Sequence, residues 1–538
     1  MVAASLTCRL VETRKPLLLL YRFPGIKQSL GISWCSSPHA VRSPLATLAR
    51  RPGEDYMYVY LGRWRNHRRD WVHICVRETR IPAELDSQNR TNMPPSTPGR
   101  STVAITAAAT AASIASIASL LYYLDIPSLL QQRVQSRKVV ESRCYSLNTK
   151  PSLPEFQILT QQITLPETYP LASGVEENVP IYDCASFDLT DASSTDKLQD
   201  ELHHNLTSGP GVYILRNFFA DATVIDATNR AFEEIITREH EASGTKGDHF
   251  APGNANARIW NAFSKHALQD PESYVQYFSN PWFKLVCDSY LGPGYKITTQ
   301  VNIVRPGGKA QRPHRDYHLG FQTDEDVVAW PKAVHQMSGL LTLQGAVAHT
   351  DMPLESGPTR LLPYSQTFGE GFRSYRRPEF IEYFESNHVS VAMRKGDAVF
   401  FSPSLFHAAG ENTTANFDRS ANLIQVSSAF GKTMETIDSL PLIDKTYDLL
   451  ATKYRAKGLS MEVDAFIRAV AEGYPFPTNL DCRPPAPGGM APESEQQILR
   501  RGLIEGWDRE TMMSELGEMR EASSANGKIG RHTTVFGT

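Results

Sequence analysis

Seven cysteines in 538 residues are scattered singly, and no two stand as Cys-x-x-Cys, so neither a disulfide framework nor a structural zinc site can be assembled from them. Free thiols in a reducing, intracellular compartment, the cytoplasm or the mitochondrion, are what this pattern predicts. An excess of charge of one sign is missing too: 55 Lys and Arg stand against 58 Asp and Glu, a net of −3. That gives no reason to expect a nucleic-acid partner. No secretory leader is recognisable, so Asn-x-Thr at Asn89, Asn205 and Asn412 reads as chance. Long apolar runs are scarce. The exception is Val103 to Leu124, uncharged and long enough to span a bilayer but dominated by Ala and Ser. A membrane anchor, the helical part of a mitochondrial presequence and a low-complexity linker all fit it, which leaves membrane contact open.

What is present divides the chain unevenly. Residues 1–100 hold sixteen Lys or Arg against seven Asp or Glu and show no sustained helix or strand period, as expected of a basic, disordered extension. Residues 101–180 join the apolar segment to a proline-punctuated linker. A folded domain is predicted over 181–432, a helical carboxy-terminal extension over 433–525, and a disordered tail over 526–538. Within the domain, Ile297 to Val304 alternates like a half-buried strand, and Pro306-Gly307-Gly308 turns the chain. Tyr317 to Gln336 reads as a long functional loop or lid, and Met337 to Val347 as an apolar strand. Self-association is one role open to the amphipathic carboxy-terminal helices.

After that turn comes His314-Arg315-Asp316. Side chains two apart on an extended backbone leave from the same face, so imidazole and carboxylate can converge on one ion. The candidate third ligand is His407, closing Gly396-Asp397 and the buried run that follows. Two His and one carboxylate on one side of an ion form the facial triad of non-haem Fe(II), which leaves positions open for oxygen chemistry. Arg419 lies twelve residues past His407 (419 − 407), where its guanidinium could grip the far carboxylate of an anionic co-substrate.

These residues, with Gly357-Pro358-Thr359-Arg360-Leu361-Leu362-Pro363, resemble the phytanoyl-CoA dioxygenase family of Fe(II)/2-oxoglutarate oxygenases from about Asp183 to Phe430. The resemblance implies a mainly β fold with flanking helices, its core a double-stranded β-helix (jelly-roll, cupin-like). It implies that His314, Asp316 and His407 bind Fe(II) and that Arg419 binds 2-oxoglutarate. It further implies that O2 is consumed, with ascorbate a candidate reductant, and that a small organic substrate is hydroxylated or desaturated with release of succinate and CO2. The chain departs from the family after Pro363, where Tyr364-Ser365-Gln366 replaces Gly-Ser/Thr-His.

Other positions are weighed beside these. Gln300 and Asn302 share one face of their strand and could hydrogen-bond the keto-acid or be ordinary barrel residues. Tyr317, His318, Arg258 and Trp260 are candidates for the substrate pocket or its lid. His349-Thr350-Asp351 repeats the His-x-Asp spacing, but Asp351 almost touches the Gly357 loop, so the first motif is preferred and the second is read as a polar strand end. A jelly roll that binds a metal or small molecule without catalysis is the rival from another class; a complete triad with Arg419 speaks against it. A halogenase would need the position that Asp316 fills.

Overall fold

A computed structural model describes the backbone of residues 140–243 and 256–524, together with four strands nearer the amino terminus. The chain divides into two compact units, residues 1–135 and 136–538. In the first, β1 (Arg9–Val11), β2 (Leu18–Tyr21), β3 (Met57–Asn66) and β4 (Arg69–Glu78) pair antiparallel in sequence order. The sequence reading assigned no element there. Tyrosine, tryptophan and valine in the two long strands give the content that pleated backbone favours, and the pairing of Asn66 with Arg69 leaves a two-residue hairpin connection. Val103 to Leu124, the Gly/Asn-rich stretch 244–255 and the tail 526–538 lie outside the described residues. Among those described, no helix is long and apolar enough to cross a membrane.

The second unit is built on an eight-stranded mixed sheet. Its strands are β5 (Gly174–Glu176), β6 (Val179–Asp183), β7 (Val212–Arg216), β8 (Asn256–Ile259), β9 (Lys296–Val304), β10 (Thr342–Ala348), β12 (Ala398–Phe401) and β14 (Arg419–Ser427). They lie in the order β5-β6-β7-β12-β10-β14-β9-β8, all antiparallel except β6 against β7. A smaller sheet pairs β11 (Arg360–Leu362) with β13 (Phe406–Ala408) and is widened by bridges from His314 to His407 and from Leu361 to Val389.

Period-2 alternation sorts the strand residues between two apolar layers. Tyr213, Leu215, Leu343, Val347, Phe400 and Ile424 face helices, in one cluster with Tyr274, Phe283 and Val286. Val212, Ile214, Ala346, Val399 and Phe401 face the other way and pack with Leu361 and Leu405 from the small-sheet side. Both faces are thus covered, which is why these strands read as continuous apolar runs.

Helices occupy more of the described chain than strands do, so β describes the core and not the whole. Two stretches differ from expectation. The segment Tyr317 to Gln336 contains the helix Asp324–Ala329, capped by Thr323 Oγ1 accepting from the Asp326 N–H at 3.3 Å and acidic in its first turn. The apolar run from Met337 begins inside a second helix, Lys332–Leu340, and only Thr342–Ala348 is strand. Val334, Met337 and Leu341 also fit helical spacing, and a short apolar run does not distinguish the two periods. The carboxy-terminal helices Ser439–Lys457, Met461–Val470, Glu495–Glu505 and Arg509–Ser523 bury Ile443, Phe466, Leu499 and Leu516 in the same cluster as the sheet. Cys144, Cys184, Cys287 and Cys482 form no disulfide.

Candidate metal centre

The small sheet places His407. In β13, Phe406 and Ala408 turn outward into an aromatic cluster with Phe156, Phe368 and Phe380, so His407 between them must turn inward, where its ring lies 4.7 Å from that of Phe401. His314 pairs with it through both backbone bonds, His314 N–H to His407 O at 3.0 Å and His407 N–H to His314 O at 3.2 Å. The Asp316 N–H continues the ladder to Pro403 O at 3.1 Å. The consequence is convergence: one ligand-capable atom from each of His314, Asp316 and His407 lies within 4.8 Å of the others, the one such group among the described residues.

The ring nitrogens are already sorted. His314 Nδ1 lies 3.0 Å from Arg312 O and His407 Nδ1 2.9 Å from Leu405 O. A carbonyl only accepts, so each Nδ1 carries a proton, which in a neutral ring leaves the lone pair on Nε2. His314 Nε2 is 3.8 Å from Asp316 Oδ1 and His407 Nε2 is 3.5 Å from Asp316 Oδ2. Burial would raise the Asp316 carboxyl, but His314, His407 and the Gln344 amide, which donates to Oδ2 at 2.6 Å, hold it well below the usual carboxylate range. Burial, with His407 beside it, lowers the His314 imidazole against the opposing pull of Asp316. His314 is therefore held toward the neutral imidazole and Asp316 toward the carboxylate, and with His407 beside them the cluster offers the donor types that a divalent cation needs.

Arg419, the first residue of β14, is 4% exposed. Its guanidinium donates to Gly357 O, its Nε has no acceptor, and among the described residues no carboxylate pairs with it. Burial and nearby Arg258 push it down to about 10, which leaves it cationic at neutral pH. A buried cation without a counter-charge is costly, so the position suits an anionic ligand. Gly357 adopts a φ of +73°, and a Cβ there would stand 2.3 Å from Glu411 O. The loop can pack against the Gly410–Glu411 backbone because that residue is glycine.

Gln300 and Asn302 share the inner face of β9 with Thr298. Gln300 Nε2, however, donates to Glu435 Oε2 at 2.7 Å, which commits one of its two amide N–H donors and leaves Oε1 without a partner. Arg258 stands opposite Asn302 in the β8–β9 register, its guanidinium 4.9 Å from the Trp260 ring centroid. Tyr317 follows Asp316 at a φ of +63°, a sparsely populated conformation for a residue of its size, and its hydroxyl donates to Gln425 Oε1 at 3.2 Å. His318 is exposed and turns to Ser338 Oγ at 3.0 Å. Sequence reasoning missed Gln344, Gln425 and Glu435. The first two carried a usable signal, a lone glutamine on one face of an apolar strand.

The second His-x-Asp forms no cluster. His349 is fully buried, with Nε2 3.1 Å from Tyr277 Oη and Nδ1 2.6 Å from Asn229 Oδ1, while exposed Asp351 accepts the Lys395 N–H. Burial drives both His349 and buried His266 down to about 3. With the folded pKa below the unfolded value near 6.5, stability is fully present above pH 6.5 and falls as the pH drops toward 3. Each residue is expected to remove about 2 kcal/mol between pH 7 and pH 5. Denaturant unfolding at the two pH values measures the loss, and a His349→Gln variant should lose about 2 kcal/mol less; an equal loss would remove His349 from the account.

Comparison with known proteins finds a family model that matches part of the chain. Residues 209–421 match the family model described as phytanoyl-CoA dioxygenase (PhyH). The multifunctional dioxygenase ausE of Penicillium brasilianum is 27% identical over 180 residues, 32% of this chain and 56% of that protein. The peroxisomal phytanoyl-CoA dioxygenase of Bos taurus is 24% identical over 281 residues, 47% of this chain and 76% of that protein. This chain spans only about half the length of several such curated relatives. A solved structure, the non-heme alpha ketoglutarate dependent carbocyclase SnoK from nogalamycin biosynthesis, is similar at 20% identity over 44% of this chain and 86% of its own, with a TM-score of 0.34.

Proposed function

We propose that this chain, a member of the phytanoyl-CoA dioxygenase family through residues 209–421, is a non-haem Fe(II)- and 2-oxoglutarate-dependent dioxygenase acting on a small organic substrate. The convergence of His314, Asp316 and His407, with each Nδ1 given to a backbone carbonyl so that Nε2 faces the cluster, carries the reading. The two sheets that share an apolar layer support a double-stranded β-helix as the core. Bound to this triad, Fe(II) with 2-oxoglutarate supplies oxygen activation coupled to oxidative decarboxylation of the keto-acid, with hydroxylation or desaturation of a C–H bond.

The chain's own residues do the rest. His314 and His407 would each offer Nε2, and Asp316 one carboxylate oxygen while Gln344 fixes the other. Arg419 would hold the distal carboxylate of 2-oxoglutarate in a bidentate fork, with Asn302 on the adjoining strand. Gln300 is the poorer candidate for that co-substrate, because one amide N–H is committed to Glu435 and the atom left unpartnered, Oε1, is an acceptor facing a co-substrate that accepts only. Tyr317, Arg258 and Trp260 would border the substrate and limit water; exposed His318 stands further from that role.

The test is the visible absorption of oxygen-free protein titrated with Fe(II) and then 2-oxoglutarate. A weak charge-transfer band that needs both additions, persists in His349→Ala and is absent from His314→Ala is expected. A band that depends on His349 and not on His314 would move the metal to the second motif, and no band in folded wild type would overturn the assignment.

A further inference from the structure

The inner face of β9 leaves a hydrogen-bond account open. Gln300 is fully buried, its Nε2 donates to Glu435 Oε2 at 2.7 Å, and Glu435 Oε1 accepts the Asn261 N–H. Gln300 Oε1 has no donor. Turning the amide round would set its oxygen against the carboxylate, so the orientation is fixed by chemistry. The same holds one strand system away: Gln344 Nε2 is committed to Asp316 and Gln344 Oε1 has no donor. Asn302 Oδ1, beside Gln300 on β9, is also without one, and the Tyr317 hydroxyl is already given to Gln425.

Three side-chain carbonyl oxygens around the candidate site therefore lack donors, and the co-substrate cannot provide them. Both carboxylates and the ketone of 2-oxoglutarate are acceptors, and a hydrocarbon chain would leave the oxygens buried and unpaired. Resting on the function proposed above, we infer that the substrate carries a hydroxyl or amine group on the side it turns to β9, and that Gln300, locked by Glu435, reads it as the specificity-determining residue. Gln300 lies within the family match and Glu435 fourteen residues beyond it (435 − 421), so the group that locks the amide comes from outside the matched span. Sites built to pair a donor reject the analogue that lacks it more strongly than apolar pockets reject a missing methylene.

The experiment uses the full chain loaded with Zn(II) and 2-oxoglutarate, diamagnetic for ligand-detected NMR, with cyclohexanol and methoxycyclohexane as a matched pair with and without the donor. Cyclohexanol is expected to bind about tenfold more tightly. That preference should vanish in Gln300→Met, which keeps the length and apolar stem, and shrink in Glu435→Gln, where the amide is no longer locked. Equal binding of the pair, binding of neither at 50 mM, or an undiminished preference in Gln300→Met would overturn the inference. Should the Fe(II)/2-oxoglutarate band be absent from wild type, the proposed function itself fails, and the two failures are read separately.

Discussion

Asp316→Ala is expected to lower Fe(II) affinity by more than about 100-fold, beyond the 10- to 100-fold typical of losing an outer partner, and to abolish metal-dependent 2-oxoglutarate turnover. The reason is charge as much as geometry. Asp316 is the one anion of the cluster, held ionised by His314, His407 and Gln344 against its burial, while the two imidazoles are neutral ligands. Removing it leaves a divalent cation beside two neutral donors and an unpaired Gln344 amide. Asp316→Asn separates the contributions, since it keeps the shape and one acceptor oxygen for Gln344 but not the charge; it should bind metal almost as poorly as Ala. Anaerobic titration with Fe(II), followed by succinate release, reads both quantities. Wild-type affinity in Asp316→Asn would show that the carboxylate is not a ligand.

Arg419→Ala should raise the 2-oxoglutarate concentration needed for half-saturation by about 10²- to 10³-fold, the loss of two charge-assisted hydrogen bonds in a dry site. Fe(II) affinity should change little, because Arg419 touches Gly357 and none of the three metal-site residues. Arg419→Lys should recover only part of the affinity, since a point charge cannot make the fork. A second consequence has the opposite sign to most buried truncations. Without a carboxylate partner, the guanidinium is a burden on the ligand-free fold, so the Ala variant should unfold no lower than wild type when 2-oxoglutarate is absent and lower when it is present. Unaltered keto-acid saturation would take Arg419 out of the site.

Legibility in the sequence followed the range of the interactions. His314 and Asp316 could be paired because two-residue spacing on extended backbone is a local fact, and His407 because a turn and an apolar run fixed its strand. Arg419 was reachable by its place on the next strand. Gln344 was hidden because the run from Met337 was read with one period when it contains two elements. Glu435 offered no periodic signal and reaches Gln300 only through the fold. Arg373 carries a charge in an Arg-rich stretch, which by composition alone would be a solvated face, yet it is 1% exposed and donates to Ser146 O and Thr149 O. Partners more than 200 residues away leave no trace in a local pattern.

The shared burial of the carboxy-terminal helices has a genetic consequence. A reading-frame shift after Phe430 would spare the triad and Arg419, yet strip Ile443, Phe466, Leu499 and Leu516 from the layer against Ile297, Val426 and Tyr274. Each large apolar side chain that loses its cover costs about 1.5–3 kcal/mol, and a handful of such losses is as large as the roughly 5–15 kcal/mol that holds a domain folded. Lesions in the last hundred codons should therefore deplete the protein as severely as a ligand substitution silences it, and the allele would be detected by its absence from the cell and not by altered kinetics.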